Sequence, residues 1–139
     1  MTRRGRERAR SRTLVRMGSG FDDLAGIGPQ QLFDGFLARA VHGERLTLAV
    51  VEIEPHAVLP EHDHANEQFG IVLRGTASFR VGDETRELGP GDIWRIPADT
   101  PHSLVAGPEG ADVIDVFSPP RDDWRGLATL EPRRPRWPA

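Results

Sequence analysis

The sequence predicts an all-β fold, a single antiparallel sandwich or barrel. Short runs rich in β-branched and apolar residues recur at close spacing from Leu46 onward. Glycine (15) and proline (12) fall between those runs, as tight turns require. Nothing between residues 31 and 117 keeps a helical period. A chain of 139 residues suits one domain around one core.

The first sixteen residues hold Arg3, Arg4, Arg6, Arg8, Arg10, Arg12 and Arg16 against one acid, Glu7. Such an arm reads as a solvated, disordered tail or as a segment that contacts phosphates. No aromatic residues interleave the arginines, which favours the tail. No apolar stretch follows, so the pattern is not that of a secretory signal, and a cytoplasmic protein is expected. Residues 17–30 read as a loop or short arm. Gln31 to Val41 alternates loosely, and His42, Gly43 and Glu44 read as a turn. Leu46–Ile53 is the clearest strand of the first half.

Further strands are predicted at Gln68–Leu73, Thr76–Val81, Glu84–Leu88, Asp92–Ile96, His102–Ala106 and Ala111–Phe117. Gly82 and Asp83 are a hairpin signal, while Gly89–Gly91 and Pro97–Pro101 break the chain. Arg121–Leu127 is expected to form a short helix anchored by Trp124. Glu131–Ala139, with three prolines and three arginines, is expected to be a solvated tail. The predicted layout is an arm (1–16), one domain (17–127) and a Pro/Arg-rich tail (128–139).

Composition removes several chemistries. With no cysteine there are no disulfides, thiolate sites or cysteine nucleophiles. A net charge of -3 gives no basic field, so nucleic acid is not an expected partner. No apolar run is long enough to span a bilayer, and no membrane association is expected.

His62 and His64 are separated by one residue, and Gln68 follows. Alternate side chains of an extended strand share a face, so two imidazoles would converge with an amide oxygen close behind. His102 is the candidate closing ligand, because a strand ends at Pro97, a turn reverses the chain, and this histidine opens the next strand. Together they suit one divalent transition metal ion. Nickel, iron, zinc, manganese and cobalt all accept such donors, and the sequence does not choose among them. The competing reading is three polar turn residues without a metal. His42 and His56 read as ordinary loop residues, and Glu67 is expected to face away from Gln68.

These residues resemble the two motifs of the cupin superfamily. The first comprises His62, His64, Gln68 and Gly75; the second comprises Gly91, Pro97 and His102. The resemblance covers roughly residues 45–121 and implies a single-domain double-stranded β-helix, or jelly-roll barrel. It also makes a homodimer the expected assembly, since sheet edges and an N-terminal strand invite pairing. Three positions depart from the usual pattern. Gln68 stands where many cupins have glutamate, and His56 and Asp99 stand where glycine is common. His and Asp tolerate left-handed backbone better than most residues, so both fit turns. A neutral ligand at Gln68 would leave the ion's double charge intact, favouring Lewis-acid chemistry over high oxidation states.

Asp115 lies in an otherwise apolar strand, on the face shared by Val113 and Phe117. A carboxylate there costs free energy unless paired, which makes it a functional candidate. Arg121 follows Pro119 and Pro120, placed to grip a carboxylate with both arms of its guanidinium. Combined with the histidines and Gln68, this segment is similar to the KdgF-type cupins of pectin and alginate breakdown. In that family a metal site and an acid convert 4,5-unsaturated monouronates to the linear ketouronate form. The resemblance implies His62, His64, Gln68 and His102 as metal ligands and Asp115 as acid/base. It implies Phe117 as a pocket wall and Arg121 as the partner of a small sugar acid's carboxylate. Plainer readings stay open: Asp115 as an acid bonded to a neighbouring turn, and Arg121 as a surface ion pair with Asp122 or Asp123. Fold alone does not give function, so a dioxygenase, cyclase, lyase or non-catalytic small-ligand binder also remains open.

Overall fold

The structure, a computed structural model, describes residues 19–138. Its strands are β1 (Gln30–Phe33), β2 (Phe36–His42), β3 (Thr47–Ile53), β4 (Val58–His62), β5 (Glu67–Val81), β6 (Glu84–Leu88), β7 (Ile93–Ile96) and β8 (His102–Ser118). All pairings are antiparallel, in the order β1-β2-β3-β8-β5-β6, with β4 also on β8 and β7 also on β5.

The long pair β5 and β8 is the spine of the fold. Its register breaks between Gly75 and Ala77, where the β8 partner jumps from Ala111 to Ala106. Gly75 has φ +79° and Gly110 φ +74° at this bend. A side chain on Gly75 would strike the Gly110 carbonyl, so the two backbones approach closely because position 75 is glycine, while one on Gly110 would strike the Ile53 carbonyl. The bend divides the sheet into two layers. Residues 67–72 and 111–118 join β1, β2, β3 and β7, whereas residues 77–81 and 102–106 join β4 and β6. The inward faces close on Ala38, Val51, Ile53, Val72, Phe79 and Ile96, giving an all-β jelly roll.

The expected breaks after Leu73 and Ala106 coincide with this bend, although the strands run through it. Gln31–Val41 proves to be a hairpin, with β1 and β2 turning at Gly35 (φ +83°). Val81 pairs with Glu84 across the expected Gly82–Asp83 turn. His56 (φ +62°) and Asp99 (φ +61°) do adopt the left-handed conformation. The strand β4 went unread because Pro60 interrupts its pattern; it is tolerated where β4 pairs with β8 alone.

The expected short helix is a 3-10 turn, Asp122–Gly126, with Trp124 buried. The segment after it is largely exposed yet docked to the outer sheet face. Arg39, 1% exposed, donates Nη1–H to Glu52 (2.6 Å) and Nη2–H to the Arg133 carbonyl (3.2 Å). Arg136 bridges Glu52 and Asp112. A purely solvated tail is therefore not what the chain forms there; buried charge on β2 and β3 needs the partners this segment brings. The Arg-rich arm, residues 1–16, lies outside the described residues. Among the described residues no helix is long and apolar enough to cross a membrane.

Candidate metal centre

Three histidines meet where β4 and β8 pair. His62 and His102 are cross-strand partners, which sets their ring centroids 4.1 Å apart. His64 lies beyond the end of β4, with its centroid 4.9 Å from His102 and 5.8 Å from His62. The two histidines of the first motif thus do not share one regular strand: β4 ends at His62, and the extended chain after it carries His64 inward. Their ligand atoms, with that of His102, all lie within 4.8 Å of one another.

Local hydrogen bonds fix which nitrogen each ring presents. Nδ1 of His62 donates to the Pro60 carbonyl (2.9 Å), that of His64 to the Asn66 carbonyl (2.9 Å), and that of His102 to the Thr100 carbonyl (2.8 Å). A carbonyl only accepts, so each neutral ring keeps its lone pair on Nε2. His102 is 1% exposed and its Nε2 has no hydrogen-bond partner. A buried acceptor without a donor is costly, and a cation removes the cost. Burial holds the His102 pKa down to about 4 and lowers that of His64 as well, so both rings are neutral near pH 7.

Gln68, 7% exposed, closes the fourth side from β5. It donates Nε2–H to Asp115 Oδ1 (2.8 Å), which turns its Oε1 toward His64 Nε2, 3.0 Å away. These two atoms both offer lone pairs. Two acceptors facing each other beside an unpartnered imidazole are the donor set a divalent ion requires. The residues present therefore fit a metal: His62, His64 and His102 could hold one, with the Gln68 oxygen beside them. Glu67 points outward, as alternation demands.

Asp115 on β8 is 8% exposed. Burial raises its pKa to about 6, against the lowering effect of hydrogen bonds from Gln68 and Trp94 and of the Arg121 charge. Trp94 donates Nε1–H to the same Oδ1 (3.1 Å); Oδ2 receives no hydrogen bond among the described residues. Phe117 stands edge-on to His64 and Trp124, with ring centroids 5.8 and 5.0 Å apart. The Arg121 guanidinium lies over both rings, 4.8 Å from Phe117 and 4.5 Å from Trp124. Its Nε and Nη2 meet the Asp123 carboxylate at 3.1 and 2.9 Å. The ion pair with Asp123 is thus present, and only Nη1 lacks a partner among the described residues. His62, Gln68, His102, Asp115, Phe117 and Arg121 line one cavity of about 290 Å³, walled also by Phe36, Leu59 and Phe79. That volume suits a small metabolite.

Three supporting residues escaped the sequence reading. Thr47, fully buried, accepts the Arg121 backbone N–H (2.9 Å) and anchors the turn that presents the guanidinium. Asn66 accepts from His64 and donates to the Pro119 carbonyl, tying the metal loop to the Arg121 segment. Trp94 holds Asp115. Only Trp94 left a signal, since a core tryptophan needs a partner for its N–H.

Residues 49–117 match the family model described as a cupin domain. The chain is 30% identical over 79 residues to oxalate decarboxylase OxdC of Bacillus subtilis, covering 53% of this chain but only 20% of that relative. It is 28% identical over 97 residues to the pectin degradation protein KdgF of Dickeya dadantii, covering 68% of this chain and 88% of that one. The solved structure of KdgF from Halomonas sp. superposes with a TM-score of 0.70 at 32% identity, covering 76% of this chain and 97% of that chain.

Proposed function

Since the chain belongs to the cupin family, as a KdgF-like member, we propose that it is a metal-dependent enzyme that opens 4,5-unsaturated monouronates to linear ketouronates. One observation carries this reading. A single cavity is lined by His62 and His102 of a metal-fitting histidine cluster, by a buried carboxyl with one free oxygen, and by a guanidinium resting on two aromatic rings.

The reaction moves one proton and needs no oxidant. A base takes the proton of the C1 hydroxyl, the C1 carbonyl forms, and the bond between C1 and the ring oxygen breaks. That oxygen's electron pair leaves an enolate across C4 and C5, and protonation at C4 yields the C5 ketone. A divalent ion held by His62, His64, Gln68 and His102 would supply Lewis-acid polarisation of a substrate oxygen. Asp115 lines the cavity, its Oδ2 accepts no hydrogen bond among the described residues, and this carboxyl carries the proton. Arg121 receives the substrate carboxylate through Nη1, with Asp123 holding the other side of its fork. Phe117 holds the guanidinium in place and closes the wall. The part of the proposal that concerns assembly is a homodimer. It is supported by exposed apolar side chains of Leu48, Phe69 and Ile93 on the outward face of neighbouring strands.

The test is metal-loaded protein mixed with an unsaturated galacturonate monomer. Loss of the C4–C5 double-bond absorbance, with a new ketone seen by NMR, is the expected result, and Asp115→Asn should abolish it. Unchanged absorbance on metal-loaded protein refutes the assignment. Oxygen uptake by an iron-loaded sample would redirect it to the oxygenase reading. Saturable uronate binding without turnover would make it a binding protein.

A further inference from the structure

Asp115, Gly70 and Trp94 stand in register across three strands: Gly70 of β5 pairs with Asp115 of β8 on one side and with Trp94 of β7 on the other. Gly70 has no side chain on the inner face, and the indole occupies that place. A Cβ on Gly70 would lie 2.2 Å from Trp94 Cε2 and Cζ2. Glycine here opens a window through which Trp94 reaches past β5 and donates Nε1–H to Asp115 Oδ1 at 3.1 Å. The Gln68 amide donates to that same oxygen at 2.8 Å. Phe79, 5.1 Å from the indole centroid to centroid, backs the indole in this pose.

We propose that Trp94 is a positioning residue: with Gln68 it fixes the Asp115 carboxyl so that Oδ2 alone faces the cavity. This rests on the reading of Asp115 as proton carrier. Two donors on Oδ1 prevent rotation of the carboxyl about its Cβ–Cγ bond unless both bonds break. They also place any proton the group carries on Oδ2, the atom facing substrate, because Oδ1 is occupied by donors. The two supports differ in reach. Gln68 also presents Oε1 to His64, so its loss disturbs the metal site; Trp94 touches only the acid's side of that arrangement.

The experiment uses full-length protein loaded with one metal. Trp94→Phe keeps an aromatic ring toward Phe79 and removes the N–H together with part of the indole's volume, which is why metal content and melting temperature are read beside turnover. Turnover of the unsaturated galacturonate should fall about tenfold in kcat, part of the 10²–10⁴ that a positioned acid/base contributes. KM and bound-metal content should stay within about twofold, the margin of an undisturbed site. A merely structural role would instead lower melting temperature, metal content and KM-dependent terms together, and that pattern overturns the proposal. So does a kcat within about twofold of wild type.

A second arm needs neither turnover nor a stable Trp94 variant. Trp94, Trp124 and Trp137 give three indole N–H resonances, assigned by triple-resonance NMR. In Asp115→Ala the Trp94 resonance should move upfield as its hydrogen bond is lost, with the other two unchanged. An unmoved Trp94 signal overturns the proposal. If wild type leaves the uronate unchanged, the functional reading fails while the indole shift still decides whether Trp94 holds Asp115.

Discussion

Gly70→Ala sets two effects of opposite sign against each other. In a strand interior, glycine costs about 0.5–1 kcal/mol relative to alanine through unfolded-chain entropy, so the exchange by itself stabilises. Against that, the new methyl would sit 2.2 Å from Trp94 Cε2 and Cζ2 and 2.5 Å from Nε1. Ordinary contact begins near 3.4 Å, so the indole must retreat by about 1.2 Å from a fully packed site. Overpacking of this kind costs about 1–3 kcal/mol. Displacing the indole also strains or breaks its 3.1 Å bond to Asp115, worth about 1.5–3 kcal/mol for a bond to a charged group. The net expectation is destabilisation by about 1.5–5.5 kcal/mol once the entropic gain is subtracted. Urea unfolding followed by circular dichroism measures it as a lower midpoint at unchanged slope. Trp94→Leu in the same background should relieve the clash, so a double-mutant cycle should give a coupling of at least about 1 kcal/mol. A neutral or stabilised Gly70→Ala would refute the argument that the indole fills the missing side chain's place.

Two further outcomes follow from other parts of the molecule. His102→Ala should reduce affinity for nickel or cobalt by more than about 100-fold, exceeding the loss on removing a mere supporting residue, while His56→Asn leaves it unchanged; equilibrium dialysis with metal analysis decides, and retained metal in His102→Ala would dismiss the centre. Glu52 faces Arg39 from β2, Arg136 from the C-terminal segment, and Asp112 of β8, itself paired with Arg74 of β5. Burial pushes its pKa up, but the Arg136 backbone N–H and the Arg39 bond outweigh this and hold it below the ordinary value. A depressed carboxyl pKa stabilises the fold above the unfolded value of 4.5, and that contribution is lost as pH falls through the folded value. Glu52→Gln leaves Arg39 buried without its counter-charge and should cost about 3 kcal/mol at pH 7. The gap should narrow as pH drops below 4.5, and a gap independent of pH in chemical denaturation would contradict it.

Much of the site was legible because its signals are local. His62, His64, Gln68 and His102 stand out by spacing and by the turns around them, and left-handed backbone at His56 and Asp99 follows from residue type. Asp115 was conspicuous as one acid in an apolar strand. The strand β4 was not legible, because Pro60 and an exposed pattern hide an edge strand that exists only by pairing with β8. Nor was the docked C-terminal segment: proline and arginine read as solvated until Glu52, Asp112 and the Arg39 guanidinium supply buried partners.

By itself the sequence determined the strand-and-turn alternation, the candidate metal donors and the lone acid of an apolar strand, since these depend on side-chain chemistry and short-range backbone preference. Tertiary structure decided the relations between distant residues. It set Gln68 between His64 and Asp115, so that one amide orients both groups. It placed Trp94 across Gly70 and engaged Arg121 with Asp123 above two aromatic rings. Those relations arise from strand register and from the bend at Gly75 and Gly110, where pairing between residues far apart in the chain brings side chains within hydrogen-bonding reach.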